Sequence, residues 1–206
     1  MRGLRRLVPA MAVAAVVLSA CGGDGDPAGD KAGDKAAAES KTPSGRVGDY
    51  PLHFLEPFPD LSLYSLDGEK VRSASLIGDR PTVVMLVSTS CAVCAELVET
   101  WSDLRAQIPD TIDVVAIVDE DLEFARDWAD LENFSFPLYV DTRSAFALRH
   151  GVSQYPTVVG VAADGTILYV RRGVSYMFTP PRAADLLGRG AEERLKRERE
   201  GSESDG

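Results

Sequence analysis

A chain of 206 residues, 45% of them apolar and 26% charged, has room for one ordinary globular domain plus tails, and two full domains would be crowded. Its 32 acidic residues outnumber 22 lysines and arginines, and the net charge of −10 argues against nucleic acid or an anionic membrane surface as the main partner, since both need clustered cations. Of three cysteines, one stands at position 21 and two form a motif at 91 and 94, so none remains for a structural disulfide.

The chain opens with the basic stretch Met1-Arg2-Gly3-Leu4-Arg5-Arg6 and an apolar run from Leu7 to Val17, the layout of a secretory signal. That run is too short to span a bilayer as a mature helix. It ends in Leu18-Ser19-Ala20-Cys21, which resembles the lipobox of bacterial lipoproteins. The resemblance implies a signal peptide over 1–20, lipid attachment at Cys21 and an extracytoplasmic domain anchored to a bacterial membrane; a simple cleaved signal with a chance cysteine is the alternative. Residues 21–48, rich in Gly, Asp, Lys, Ala and Ser and lacking any aromatic residue, read as a disordered tether.

A single domain is expected over 49–188. Leu61–Leu66 and Glu69–Arg72, joined by Asp67-Gly68, predict a hairpin. Thr82–Val87 predicts a buried strand that runs straight into Cys91-Ala92-Val93-Cys94. Beyond it Leu97, Val98, Trp101, Leu104 and Ile108 recur at helical spacing, so both cysteines stand at the start of an amphipathic helix. First-turn N–H groups and the positive end of the helix dipole stabilise a thiolate there, the nucleophilic form of cysteine. Cys91, at or near the N-cap, is therefore the expected nucleophile, and Cys94, continuing the apolar face, the buried resolving sulfur. A second continuous apolar strand follows at Asp113–Val118, then a helix over Asp121–Leu131 with Leu122, Phe124, Ala125, Trp128 and Leu131 as its apolar set. Pro137–Val140 reads as a short strand, and Arg143–His150 as a helix closed by Gly151. Val158–Ala162 and Ile167–Val170 around Asp164-Gly165 predict a second hairpin, and Thr179-Pro180-Pro181 opens a last helix. The charged tail 189–206 is expected to be a frayed helical extension that ends in disorder.

Pro57-Phe58-Pro59-Asp60, the Asp67-Gly68-Glu69-Lys70 turn, the dithiol after a strand, and Gly151-Val152-Ser153-Gln154-Tyr155-Pro156-Thr157 together resemble the TlpA/ResA-like thiol–disulfide oxidoreductases of the redoxin superfamily, over about residues 50–188. The resemblance implies an α/β thioredoxin-like fold: a central mixed sheet flanked by helices, with an N-terminal hairpin and an extra strand–helix insertion near 137–150. It also implies a cis Tyr155–Pro156 bond facing the sulfurs, with Tyr155, Pro156 and Thr157 binding substrate peptide. The partners it implies are the thiols and disulfides of client proteins, with a membrane electron donor possible and no cofactor beyond a redox-active Cys91–Cys94 disulfide. This chain departs from its relatives at Ser90, Ala92 and Val93, and it has Leu97 where they often carry a glutamate, so its redox potential and its direction of electron flow stay open.

Three other readings compete. A closed zinc site needs four ligands, and the chain offers no second cysteine pair and only His53 and His150. A Sco-like copper chaperone shares the fold but uses a wider cysteine spacing and a histidine ligand. A peroxiredoxin-like thiol peroxidase would use Ser88, three residues before Cys91, yet Val84 stands where that family has proline and no active-site arginine is assignable. Trp101 and Trp128 read as core, and no metal ligand set is expected.

Overall fold

The computed structural model describes residues 52–204, with side chains as far as Gly201. The expected signal peptide, tether and lipid attachment at Cys21 lie outside the described residues. The N-terminal hairpin consists of β1 (Ser62–Ser65) and β2 (Lys70–Arg72), paired antiparallel with Leu63 opposite Val71. It turns through Gly68, whose φ of 89° suits a residue without Cβ. Next comes β3 (Thr82–Val87), buried at every residue, then α1 (Ala92–Asp103) and β4 (Asp113–Val118), which pairs in parallel with β3. The order continues with α2 (Leu122–Glu132), β5 (Leu138–Val140), α3 (Ala145–Arg149), β6 (Thr157–Val161), β7 (Ile167–Arg172) and α4 (Pro180–Ser204).

The seven strands form one mixed sheet in the order β2-β1-β5-β4-β3-β6-β7, the expected α/β thioredoxin-like arrangement. Strand periodicity sorts the core into two layers. Val83, Met85 and Val87 of β3 face Leu97, Trp101, Trp128 and Leu186, while Val84 and Leu86 face Leu52, Phe58 and Phe146. The dithiol helix therefore packs on one side of the sheet, and the N-terminal segment and α3 on the other.

Three expectations need correction. The dithiol helix stops at Asp103 and does not reach Ile108. Leu104 caps it, and Pro109 disfavours a helical conformation in the residue before it, so Ile108 reaches the core from extended backbone. In α2 the buried set is Ala125, Trp128 and Ala129, whereas Phe124 and Leu131 are 63% and 78% exposed. At about 100° per residue both fall on the flank of the helix, beyond the face that Ala125 and Ala129 centre on the sheet.

The charged segment after 189, expected to be a frayed helical extension passing into disorder, is regular helix as far as Ser204. Gly190 does not end the helix but lets it lie against β7, since a Cβ there would stand 2.5 Å from the carbonyl oxygen of Leu168. Arg194 pairs with Asp164 at 2.7 Å and with Glu198 at 2.8 Å, and the Arg197 guanidinium sits 5.1 Å over the ring of Phe54. Each contact is individually modest, but together they give a polar helix partners along its length.

Candidate active site

Strand β3 ends at Val87, and Ser88-Thr89-Ser90 carries the chain to Cys91, the N-cap of α1 with extended backbone at φ −104° and ψ 102°. Cys91 and Cys94 are joined as a disulfide, their Cα atoms 5.2 Å apart. The two sulfurs differ in access: Cys91 is half-buried, whereas Cys94 is 0% exposed beside Leu97, Val98 and Trp101 at helical spacing. Cys91 Sγ accepts the N–H of Cys94 at 3.2 Å, the geometry that stabilises a thiolate at a helix N-terminus once the bond is reduced.

Polar contacts fix the loop in front of the helix. The Cys91 N–H donates to the Ser88 carbonyl at 3.1 Å, and the Ser88 and Ser90 hydroxyls meet at 3.0 Å. The Thr89 hydroxyl donates to one carboxylate oxygen of Glu120, whose other oxygen accepts the Asp121 N–H at 2.9 Å. The dithiol loop is thereby tied to the start of α2.

Strand register brings the second half of the site alongside. Leu86 stands opposite Thr157, so the residues entering β6 run beside the loop that leaves β3. The Tyr155–Pro156 bond is cis, and the Pro156 carbonyl accepts the Val174 N–H at 3.3 Å. Thr157 is buried and its hydroxyl donates to the Gln154 carbonyl at 2.7 Å, so any contact it offers a client is through its backbone.

Tyr155 has a second connection that the sequence did not announce. Its hydroxyl donates to Asp119 Oδ2 at 2.7 Å, and the Ser144 hydroxyl donates to Asp119 Oδ1 at 2.6 Å. Burial first, and then the Asp119 hydrogen bond, raise the Tyr155 phenol well above its ordinary value, so it stays a donor. Arg143 and Ser144 both adopt left-handed backbone, at φ 70° and 53°, which non-glycine residues avoid. The turn is held from two strand ends: Asp119 follows β4, and Asp141 follows β5 and accepts the Phe146 N–H at 2.9 Å and the Ala147 N–H at 3.0 Å. Burial raises the Asp141 pKa, opposed by those N–H bonds.

Asp119, Glu120, Asp141 and Ser144 were not singled out from sequence. The signals available were an acidic pair directly after the apolar run of β4 and a cluster of helix-capping residue types at 141–144. His150 closes α3 beside Gly151 at φ 61°, buried with its ring centroid 5.1 Å from that of Phe146. Among the described residues no three His, Cys, Asp or Glu side chains are grouped to hold a metal ion, and no helix is long and apolar enough to cross a membrane.

The AhpC/TSA family model matches residues 55–171. No curated protein matches the sequence. Among solved structures the chain is similar to the peroxidoxin BcpB from Mycobacterium tuberculosis, with 19% identity and a TM-score of 0.54 over 68% of this chain and 98% of that one. It is similar to MTB DsbF, solved in mixed oxidized and reduced forms, with 22% identity and a TM-score of 0.51 over 61% of this chain and 94% of that one. A third similarity is to the bacterioferritin comigratory protein of Xanthomonas campestris, whose structures concern alkyl peroxide reduction, with 13% identity and a TM-score of 0.52 over 65% and 91% of the two chains. At these identities the likeness is one of fold.

Proposed function

The chain belongs to the AhpC/TSA family and is an oxidoreductase of thioredoxin-like fold, and from that premise we propose that it exchanges disulfides with client proteins through Cys91 and Cys94. The observation that carries this reading is the pairing of a half-exposed sulfur at the N-cap of α1 with a fully buried one a turn later. In the reducing direction the Cys91 thiolate attacks a client disulfide, forming a Cys91–client bond and expelling one client sulfur as thiolate. Cys94 then gives up its proton and attacks Cys91 Sγ, which forms the Cys91–Cys94 disulfide and releases the second client sulfur. Two electrons have passed to the client, whose departing thiolates take up protons. The same steps run backwards for oxidation, and the potential of the partner sets the direction. Tyr155 and Pro156 supply the backbone edge along which the client lies, and the Asp119 bond holds that edge beside the dithiol.

Lipid on Cys21 would keep this domain outside the cytoplasm on a flexible tether, within reach of exported clients and of a membrane electron donor. The basic and apolar opening of the chain and Leu18-Ser19-Ala20-Cys21 support that placement.

A second reading, thiol peroxidase, is favoured by the family match and by the peroxidoxin among the similar structures. There Cys91 would be oxidised by peroxide to a sulfenic acid, and Cys94 would displace water to close the disulfide. Turnover of a protein disulfide measured beside turnover of hydrogen peroxide separates the two. The exchange reading expects the protein disulfide to be reduced with the higher kcat/KM, and peroxide consumption without protein-disulfide reduction would replace it.

A further inference from the structure

We propose that the groove next to the cis-proline loop selects client segments carrying an acidic residue close to the reacting cysteine. This inference rests on the exchange reading of the dithiol and names the class of client it serves. The groove, roughly 290 Å³, is lined by Arg171, Val174, Met177, Phe178, Arg182 and Leu186. Its near end is continuous with the site, because the Val174 N–H bonds to the Pro156 carbonyl at 3.3 Å. Its floor is fixed to the dithiol helix: the Trp101 indole N–H donates to the Phe178 carbonyl at 2.5 Å and the two rings stack at 6.3 Å. The groove therefore adjoins the cis-proline loop through Val174, and Trp101 of the helix that starts at Cys91 holds its Phe178 wall.

The groove differs in charge from the chain as a whole, which carries −10. Three arginines line it and no acidic side chain does. Arg189 is neutralised by Asp185 at 2.7 Å, whereas Arg171 and Arg182 form no ion pair among the described residues. Arg171 stands opposite Val158 in the β6–β7 register, which sets it on the face of the sheet that α1 and α4 cover. Met177, which lines the same groove, is 66% exposed, an unbranched side chain that adapts to varied apolar partners. A planar guanidinium presents a fork that matches a carboxylate, and two of them at the rim of a docking site speed the approach of acidic partners while repelling basic ones. The occupant this chemistry fits is a client stretch with Asp or Glu beside an apolar residue.

The test uses the purified full chain, its dithiol regenerated by excess of a small-molecule dithiol whose uncatalysed rate is subtracted, and two peptide disulfides that are identical except for Glu or Lys flanking the cysteine, with neutral hydroxyethyl disulfide as a third substrate. The Glu peptide should be reduced with a kcat/KM about tenfold above that of the Lys peptide at low salt, a ratio that shrinks as salt is raised. Replacing both Arg171→Gln and Arg182→Gln should bring that ratio to within about twofold of unity while hydroxyethyl disulfide turnover is unchanged. Equal turnover of the two peptides by the wild type, or a ratio that survives the double substitution, overturns the proposal, even if the same arginines prove to bind vesicles of anionic lipid. Failure of the wild type to turn over hydroxyethyl disulfide overturns instead the exchange reading on which it rests.

Discussion

The dithiol after β3 and the aspartate brace after β4 and β5 stand at the C-terminal ends of three neighbouring parallel strands, yet they are assembled differently. Cys91 and Cys94 are three positions apart, on one helix whose first turn sets both their access and their electrostatics. The brace brings Ser144 and Tyr155 to Asp119 across 25 and 36 positions, with Asp141 capping Phe146 and Ala147 five and six positions further on. One region carries reactivity and is compact in sequence. The other carries position and is compact only in space, so the two should fail in different ways.

The widest separation comes from Cys91→Ser. It should reduce client-disulfide exchange to the buffer background, because the other cysteine among the described residues, Cys94, is fully buried, while peptide binding to the Tyr155–Pro156 edge is retained; activity and binding assays on one preparation check both. Asp119→Ala should do the converse. It strands a half-buried phenol and a hydroxyl, at a cost of about 1–3 kcal/mol in urea unfolding. Its kcat/KM should fall about tenfold with a protein disulfide and change little with hydroxyethyl disulfide, because misplacing a docking edge impairs only substrates that use it.

A smaller loss, about 1 kcal/mol, is expected of Tyr155→Phe, which leaves Asp119 still bonded to Ser144. This variant also has a pH signature. The Tyr155 phenol is raised above its ordinary 10.0, so its stabilisation is complete below that pH and is lost as pH rises past it, where the unfolded chain ionises first. Stability of the wild type should therefore decline on the alkaline side, and Tyr155→Phe should remove part of the decline; the buried Tyr169, raised in the same direction, supplies the remainder. The smallest effect belongs to Asp141→Asn. The folded-state pKa of Asp141 is raised, so its contribution is present below 3.8 and is lost as pH climbs through the folded value. Denaturant midpoints across the acid range should show a flatter profile for the Asn variant.

How much of this was readable from sequence follows the same division. The strand into Cys91, the helix after it and both hairpins leave short-range marks: apolar periodicity, Asp-Gly turns, a Cys-x-x-Cys; the cis bond at Tyr155-Pro156 is expected only from the family resemblance. Asp141 leaves only the faint mark of capping residue types at 141–144, and Asp119 leaves none beyond following a buried strand, because its partner Tyr155 is 36 positions away and is brought to it by the fold. The errors were also non-local. Phe124 and Leu131 count toward an apolar set until the sheet decides which face of α2 it covers, and the charged end of α4 reads as a tail until Asp164 and Phe54 supply partners from elsewhere in the chain.

The central claim, that Cys91 attacks and Cys94 resolves, is tested most directly by mapping the sulfur that bonds the client. Cys94→Ser protein is mixed with a protein disulfide, and the reductant-sensitive adduct is isolated on non-reducing gels, digested and sequenced by mass spectrometry. A stalled mixed disulfide through Cys91, absent from Cys91→Ser protein, is the result predicted by a half-exposed N-cap sulfur in front of a fully buried one. An adduct formed by Cys91→Ser through Cys94, or full exchange activity in either variant, would contradict it.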